Sequence, residues 1–378
     1  MALNQVGLER LTTTTTDKIG ERKNLIINGA MQVSQRGTSE ASVSTTKYAN
    51  APDRWRFVAG NGGTWTVSQS TTSPNLFANS YKFDCTTADS SLGAGDFLAF
   101  DQGLEGLDLQ DLGWGTSDAK SVTVSFHVRS NKTGTYTCEL FQGAGGVGGS
   151  NILVSKSYTI SAADTWEKKT ITFSGNTAVA FTNDNSRQLT LNLWLAAGSN
   201  FTGGTFSDGT YHNANNKRVA SGQVNLADST SNEWYITGVQ IEVGSVATDF
   251  EHKSYGDTLW DCQRYCSQIG RADSGEDIYT LFGLQAYGTS AIFGTIGHWP
   301  RQMRAKPTVT LVGVIQYTNS AAGNVFSPTG GTYNRSTKNS VGSTALSFGS
   351  SLFVQGGFAA AFAGAADGAN YIQGDAEL

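Results

Sequence analysis

Five carboxylates, Asp96, Asp101, Glu105, Asp108 and Asp111, form the densest acidic stretch of this 378-residue chain. Two carboxylates facing each other about 5–9.5 Å apart hydrolyse a glycosidic bond. Several converging on one point hold Ca2+. Clustering in sequence establishes neither arrangement, so the stretch reads as a solvated loop or a structural calcium site, and no catalytic pair is assigned. The histidines, His127, His212, His252 and His298, are widely separated. Neither a Gly-x-Ser-x-Gly elbow nor a His-Glu-x-x-His pair occurs. The glycine run at 143–149 lacks the Lys-Ser/Thr of a phosphate loop and reads as a hairpin tip. Cys262 and Cys266 supply two zinc ligands with no second pair to complete four. Cys85 and Cys138 fall in strand-like runs and read as buried apolar residues. These observations point to a chain that is not an enzyme and carries no cofactor, calcium apart.

Aromatic residues offer a different chemistry. An exposed ring stacks on the apolar face of a sugar while Asn, Asp and Gln fix its hydroxyls. Trp55, Trp166 and Trp194 lie in alternating runs and read as core. The candidates for ligand binding are therefore aromatics between such runs: Phe201, Phe206 and Tyr211, then Tyr317, Phe326 and Tyr333 nearer the C-terminus.

These rings must be positioned by β-structure. Charged residues make up 15 % of the chain and Gly numbers 45, against 5 Pro; that balance suits short strands and tight turns more than salt-laced helices. The net charge is −5 and no basic run exceeds two residues, so nucleic acid is not an expected partner. No apolar run approaches 18 residues, so no spanning helix is expected, and the first residues lack the basic start and apolar core of a signal peptide.

Residues 25–33 read as a strand. Residues 53–57 alternate, and residues 121–129 alternate most clearly, with Val122, Val124, Phe126 and Val128 on one face. Residues 135–141 are expected to pair with them through a hairpin at Asn131-Lys-Thr-Gly134. Further strands are read at 165–173 and 188–195, then a long loop at 196–229 and a closing strand at 233–243. Residues 254–269 are the one expected helix, capped at Gly256-Asp257, with Leu259, Cys262 and Cys266 on one face. β patterning resumes at 278–317 and 345–372. The uncharged run at 356–363 is expected to be covered, with a second copy of the chain as one candidate.

The predicted fold class is all-β: an antiparallel jelly-roll β-sandwich, then a short helix and a smaller C-terminal β domain. The predicted division is an N-terminal arm at 1–24, a jelly roll at 25–252 and a distal part at 253–378. Leu3, Val6, Leu8 and Leu11 would be wasted on a free tail, so the arm is expected to be ordered by a partner.

Several motifs together resemble a known family. Asn24-Leu-Ile-Ile-Asn-Gly-Ala-Met-Gln-Val33 followed by Asp53-Arg54-Trp55 is similar to the opening of bacteriophage tail fibres and minor virion structural proteins. Gln102-Gly-Leu-Glu-Gly-Leu107, residues 122–128 and Thr165-Trp-Glu-Lys-Lys-Thr170 resemble their carbohydrate-binding-module-like jelly roll. The junction Trp234-Tyr-Ile-Thr-Gly-Val-Gln-Ile-Glu-Val-Gly244 with Cys262-Gln-Arg-Tyr265, the run at 300–310, and Asp375-Ala-Glu-Leu378 are similar to the same class. The resemblance implies a place on the outside of the virion tail and a homotrimeric fibre. It further implies attachment to a host-surface glycan, with a tail or adaptor protein held through residues 1–24. Leu259, Cys262 and Cys266 are the candidate contact between three chains. A capsid decoration or head fibre protein, and a polysaccharide-degrading tailspike, are the alternatives.

Overall fold

The computed structural model describes residues 23–143, 151–269, 282–288, 291–312, 315–319, 325–326, 330–332, 340–347, 358–363 and 371–378. The chain folds as two compact units. The first comprises the described part of 1–31, Ala41–Lys47 and Arg56–His252; the second comprises Gln32–Glu40, Tyr48–Trp55 and the described part of 253–378. The division near residue 252 agrees with the sequence reading, but two short early segments, read there as part of the jelly roll, belong to the second unit.

The first unit is a two-layered antiparallel β-sandwich. Its strands are β1 (Ser39–Val43), β2 (Arg56–Gly60), β3 (Thr64–Ser70), β4 (Ser80–Thr87), β5 (Phe97–Glu105) and β6 (Val122–Ser130). They continue with β7 (Gly134–Gln142), β8 (Ile152–Ile160), β9 (Glu167–Phe173), β10 (Arg187–Ala197) and β11 (Glu233–Val243); one helical turn, α1 (Ser199–Thr202), follows β10. One sheet has the order β1-β3-β4-β11-β6-β9 and the other β2-β5-β10-β7-β8. Period-2 alternation creates the core between them. Val122, Val124, Phe126 and Val128 are fully buried, as are Phe57, Phe100, Leu193 and Cys138, which lie side by side across β2, β5, β10 and β7. Phe83 is the aromatic hub: its ring centroid lies 5.6 Å from Phe57, 6.0 Å from Trp65, 5.5 Å from Phe100 and 5.6 Å from Trp234. Burial pushes the Cys85 thiol up to about 11, so it packs as an inert apolar group.

Two expectations for this unit are corrected. The turn at 131–134 does not make a hairpin: β6 pairs with β9 and β11, whereas β7 pairs with β8 and β10. Both strands carry an apolar inner face, so the turn arches between layers and the two faces meet across the core. The closing strand read at 233–243 is β11, and it sits between β4 and β6. Residues 25–31 form no strand. Isolated backbone bonds to β11, from Leu25 N to Ile241 O and from Val239 N to Gly29 O, alternate there with side-chain amides: Ile27 N donates to Gln102 Oε1 and Gln102 Nε2 donates back to Ile27 O, each at 2.9 Å, while Asn24 Oδ1 accepts from Ile26 N and Ile241 N. Positive φ at Asn28 and Met31 breaks the extended run. Gly29 lies so close to β11 that a Cβ would stand 2.1 Å from Val239 O. Gly29→Ala is accordingly expected to cost about 1–3 kcal/mol, read as a lower urea midpoint at unchanged slope.

The second unit contains the helix α2 (Tyr255–Gln263) and strands β12 (Cys266–Ile269), β13 (Phe282–Gly288), β14 (Ala291–His298), β15 (Thr308–Val312) and β16 (Ile315–Asn319). β17 (Val325–Phe326), β18 (Gly330–Thr332), β19 (Ser340–Ser347), β20 (Phe358–Ala363) and β21 (Tyr371–Asp375) complete it. They form a sheet β12-β21-β15 and a sheet β17-β16-β20-β13-β14-β19-β18. The uncharged strand β20 has both edges occupied, by β13 and β16. The helix is capped by Ser254, whose Oγ accepts from Asp257 N at 3.1 Å, not by Gly256-Asp257. It ends earlier than the sequence suggested because Cys266 opens β12.

A buried ionic cluster holds this unit's described ends together. Arg36 Nη2 donates to Asp375 at 3.0 Å and Glu377 at 3.1 Å, and lies near Asp53. Arg54 pairs with Glu377, and its guanidinium stacks 3.5 Å from the centre of the Tyr265 ring. Burial opposes the Arg54 charge, but Glu377 and Tyr265 outweigh that and hold its pKa above the usual value. Arg304 donates to the carbonyls of Ala376 and Glu377, each at 2.8 Å, and Ala376 N donates to Tyr265 O at 2.7 Å. Residues 53–55 are thus not half of an alternating strand; β2 starts at Arg56, Asp53 and Arg54 serve this cluster, and Trp55 is buried. Among the described residues no helix is long and apolar enough to cross a membrane.

Candidate functional site

The outer face of the five-stranded sheet carries a convergent set of polar groups. Strand register aligns Arg56, Asp101, Asn192, Glu139 and Ser155 in one row across β2, β5, β10, β7 and β8. The neighbouring row is Val58, Ala99, Trp194 and Thr137. Arg56 binds Asp101 in a forked pair, with Nε at 2.9 Å from Oδ1. Glu139, fully buried, receives Asn192 Nδ2 at 2.8 Å and both Nε and Nη2 of Arg218, at 2.8 and 2.6 Å. Burial opposes the Arg218 charge; the Glu139 carboxylate more than compensates and raises its pKa.

Arg218 comes from the long segment between β10 and β11, which is tied down rather than loose. Leu153 and His212 exchange backbone hydrogen bonds at 2.8 and 2.9 Å; Gly209 N reaches Ser155 O at 2.8 Å; Val224 N reaches Thr135 O at 3.0 Å. The segment straps over β7 and β8. Between strap and β2 lies a cleft of about 190 Å3, lined by Arg56, Phe97, Asp101, Asn192, Trp194 and Arg218, with Phe201 and Phe141 among its other walls. Phe201, on α1, stands 5.4 Å from Phe97 and 5.2 Å from Trp194, centroid to centroid. The Arg218 guanidinium covers the Trp194 ring at 4.8 Å. Trp194 Nε1 is buried without a hydrogen-bond partner. A wall of rings opposite guanidinium, carboxylate and amide groups suits a ligand with an apolar face and many hydroxyls.

Of the ring residues singled out from sequence, Phe201 lines this cleft. Phe206 does not line it. Tyr211 is used structurally: its hydroxyl donates to Ser174 O at 2.6 Å and its ring meets Trp114 edge-on at 6.0 Å, with burial raising the hydroxyl pKa. Tyr317 and Phe326 are cross-strand partners on β16 and β17. Tyr333 lies outside the described residues, as do Leu3, Val6, Leu8 and Leu11. Leu259 is half-buried, whereas Cys262 and Cys266 are fully buried inside the second unit; the large apolar side chains that α2 exposes are Tyr255 and Trp260.

Trp194 was read as core and is buried, 3 % exposed, but in a cluster with Ala99 and Val219 on the outer face of its sheet and not between the two sheets. Leu189, Leu191, Leu193 and Leu195 fill the inner face of β10, so Thr190, Asn192 and Trp194 must face the other way. That alternation is visible in the sequence and was the missed signal for Asn192 as well. Trp166, also read as core, is half-buried against Tyr235. Arg218 carried no local signal. The acidic stretch does not converge: Asp101 pairs with Arg56, Asp96 accepts from Gly93 N at 2.6 Å, and Asp111 pairs with Lys120 at 2.8 Å. Among the described residues no group of three His, Cys, Asp or Glu is placed to hold a metal ion.

No family model matches the chain and no curated protein matches it. Solved structures do. One is the enzymatically active domain of tailspike protein 4 of bacteriophage CBA120, 12 % identical, covering 58 % of this chain and 21 % of that one, TM-score 0.29. Another is a putative sugar binding protein from Bacteroides thetaiotaomicron, 13 % identical, covering 58 % and 100 %, TM-score 0.31. A third is a family 11 carbohydrate-binding module from Clostridium thermocellum in complex with a mixed-linked tetrasaccharide, 12 % identical, covering 57 % and 99 %, TM-score 0.27.

Proposed function

We propose that this protein is a bacteriophage virion fibre that attaches to the host by binding a cell-surface glycan in the cleft of its first unit. The cleft carries this reading: the half-buried rings of Phe97 and Phe201, backed by buried Trp194, give a sugar ring an apolar wall, and Arg56, Asp101, Asn192 and Arg218 give its hydroxyls charged and amide partners. Binding without hydrolysis fits the same lining. Asp101 is the one carboxylate that lines the cleft, since Glu139 is sealed beneath Arg218 and Asn192, and hydrolysis uses a pair. The virion setting rests on the sequence motifs. Asp53-Arg54, Tyr265, Arg304 and the Asp375–Leu378 end, quoted separately for that resemblance, meet in one buried cluster of the second unit. They act as one structural device.

An array of host surface polysaccharides probed with the purified chain tests the binding. Retention of at least one neutral or acidic glycan is expected, and retention of none would sink it. Sedimentation tests the fibre: a trimer is expected at micromolar concentration, and a monomer would exclude it.

A further inference from the structure

The sheet opposite the cleft has its own pocket. It occupies about 260 Å3 on the outer face of the six-stranded sheet, and Phe77, Ser125, His127, Lys168, Asp249 and His252 are among its walls. Phe77 is the centre of a ring cluster, 5.3 Å from His127, 5.1 Å from Phe250 and 5.1 Å from His252. Three features hold this cluster in place. Within the β3–β4 connection, Phe77 N donates to Pro74 O at 3.2 Å and Ser73 Oγ donates to Phe77 O at 2.6 Å. β11 is bulged between Thr237 and Gln240; there Gly238 has φ +63°, and a Cβ on it would stand 2.6 Å from Phe77 and 3.0 Å from His127 Nδ1. After β11, Glu251 N donates to Gln240 Oε1 at 2.9 Å and its carboxylate accepts from Asn24 N at 2.6 Å, which fixes Phe250 and His252 on either side of it.

The polar groups are unspent. His127 Nδ1 is buried with no hydrogen-bond partner. Among the described residues neither Lys168 nor the Asp249 carboxylate has an ion-pair partner. The lining holds one ammonium and one carboxylate. An anion would gain Lys168 but face Asp249; a cation would meet the reverse. A hydroxyl donates and accepts, and so pairs with either.

We propose that this pocket is a second carbohydrate subsite, taking one neutral sugar ring against Phe77 with its hydroxyls shared by Lys168, Asp249 and His127. The proposal rests on reading the first cleft as a glycan site, and it makes the first unit a two-sided binder. Two separate sites on one unit raise the avidity for a repeating polymer without any new contact.

Methyl-labelled Leu and Val report the two sites independently, because Leu76 stands on the pocket's rim, 86 % exposed, and Val58 lines the cleft. The full chain is titrated with gluco-, galacto-, manno- and xylotetraose, and with methyl β-glucuronide as the anionic comparison. At least one neutral sugar is expected to shift Leu76. Phe77→Ala and Lys168→Met should each weaken that response at least tenfold while Val58 responds as before, which also shows that the variants fold. A Leu76 signal that is silent while Val58 responds overturns the pocket and leaves the cleft standing. Silence at both sites overturns both. A Leu76 shift with the glucuronide alone, or one unaffected by both substitutions, also overturns the proposal.

Discussion

Glu377→Gln is expected to lower the melting temperature of the second unit by roughly 10 °C, on the order of 3–5 kcal/mol. Glu377 is 4 % exposed at its side chain, and it meets Arg36 at 4 % and Arg54 at 1 %. Two guanidiniums lose the carboxylate that offsets their burial, and the amide that replaces it brings no charge. The cost of breaking a buried pair far exceeds the worth of making it, because the stranded charge stays out of water. An exposed pair gives the comparison: Asp111→Asn, opposite Lys120 with side chains 68 % and 48 % exposed, should change stability by less than about 0.5 kcal/mol. Calorimetry reads both. Equal small effects from the two variants would mean that the cluster does not hold the unit together.

Arg218→Met should do two things at once. It leaves Glu139 buried without its forked partner, which costs about 3–5 kcal/mol in the first unit, and it strips the guanidinium from the Trp194 ring. Glycan retention should fall at least tenfold. The stability loss and the binding loss separate in the double variant. Glu139→Gln combined with Arg218→Met removes both charges, so chemical denaturation should show a cost well below the sum of the single variants. Binding should not return, because the cleft still lacks its cation. Full recovery of binding in the double variant would mean that Arg218 acts only as a structural partner of Glu139.

Much of the first unit was legible from alternation alone. Residues 121–129 and 188–195 alternate in polarity, and they form β6 and β10 in the structure, although both strands are buried on nearly both faces. Which strands pair was not legible. β6 and β7 have the same period and an intervening turn that suits a hairpin, and only the packing of the two layers sends them to different sheets. Residues 25–31 mislead for another reason: their apolar content is that of a strand, but their hydrogen bonds go to the Gln102 amide 75 residues away, to the neighbouring Asn24 side chain and to isolated backbone groups of β11. For the cleft, Phe201 was found because it stands between strands. Trp194 and Asn192 were within reach, since the leucines at odd positions force them outward. Arg218 was not, because its partner Glu139 lies 79 residues earlier in sequence.

The most direct test of the central claim uses Phe201. It is half-buried on the short helix α1 and lines the cleft without a charged partner to strand. Isothermal titration calorimetry with the best-retained glycan compares the wild-type chain with Phe201→Ala. The account predicts at least tenfold weaker binding to the cleft, about 1.4 kcal/mol or more, with the melting temperature of the first unit nearly unchanged. Equal affinity of the two proteins for that glycan would contradict it.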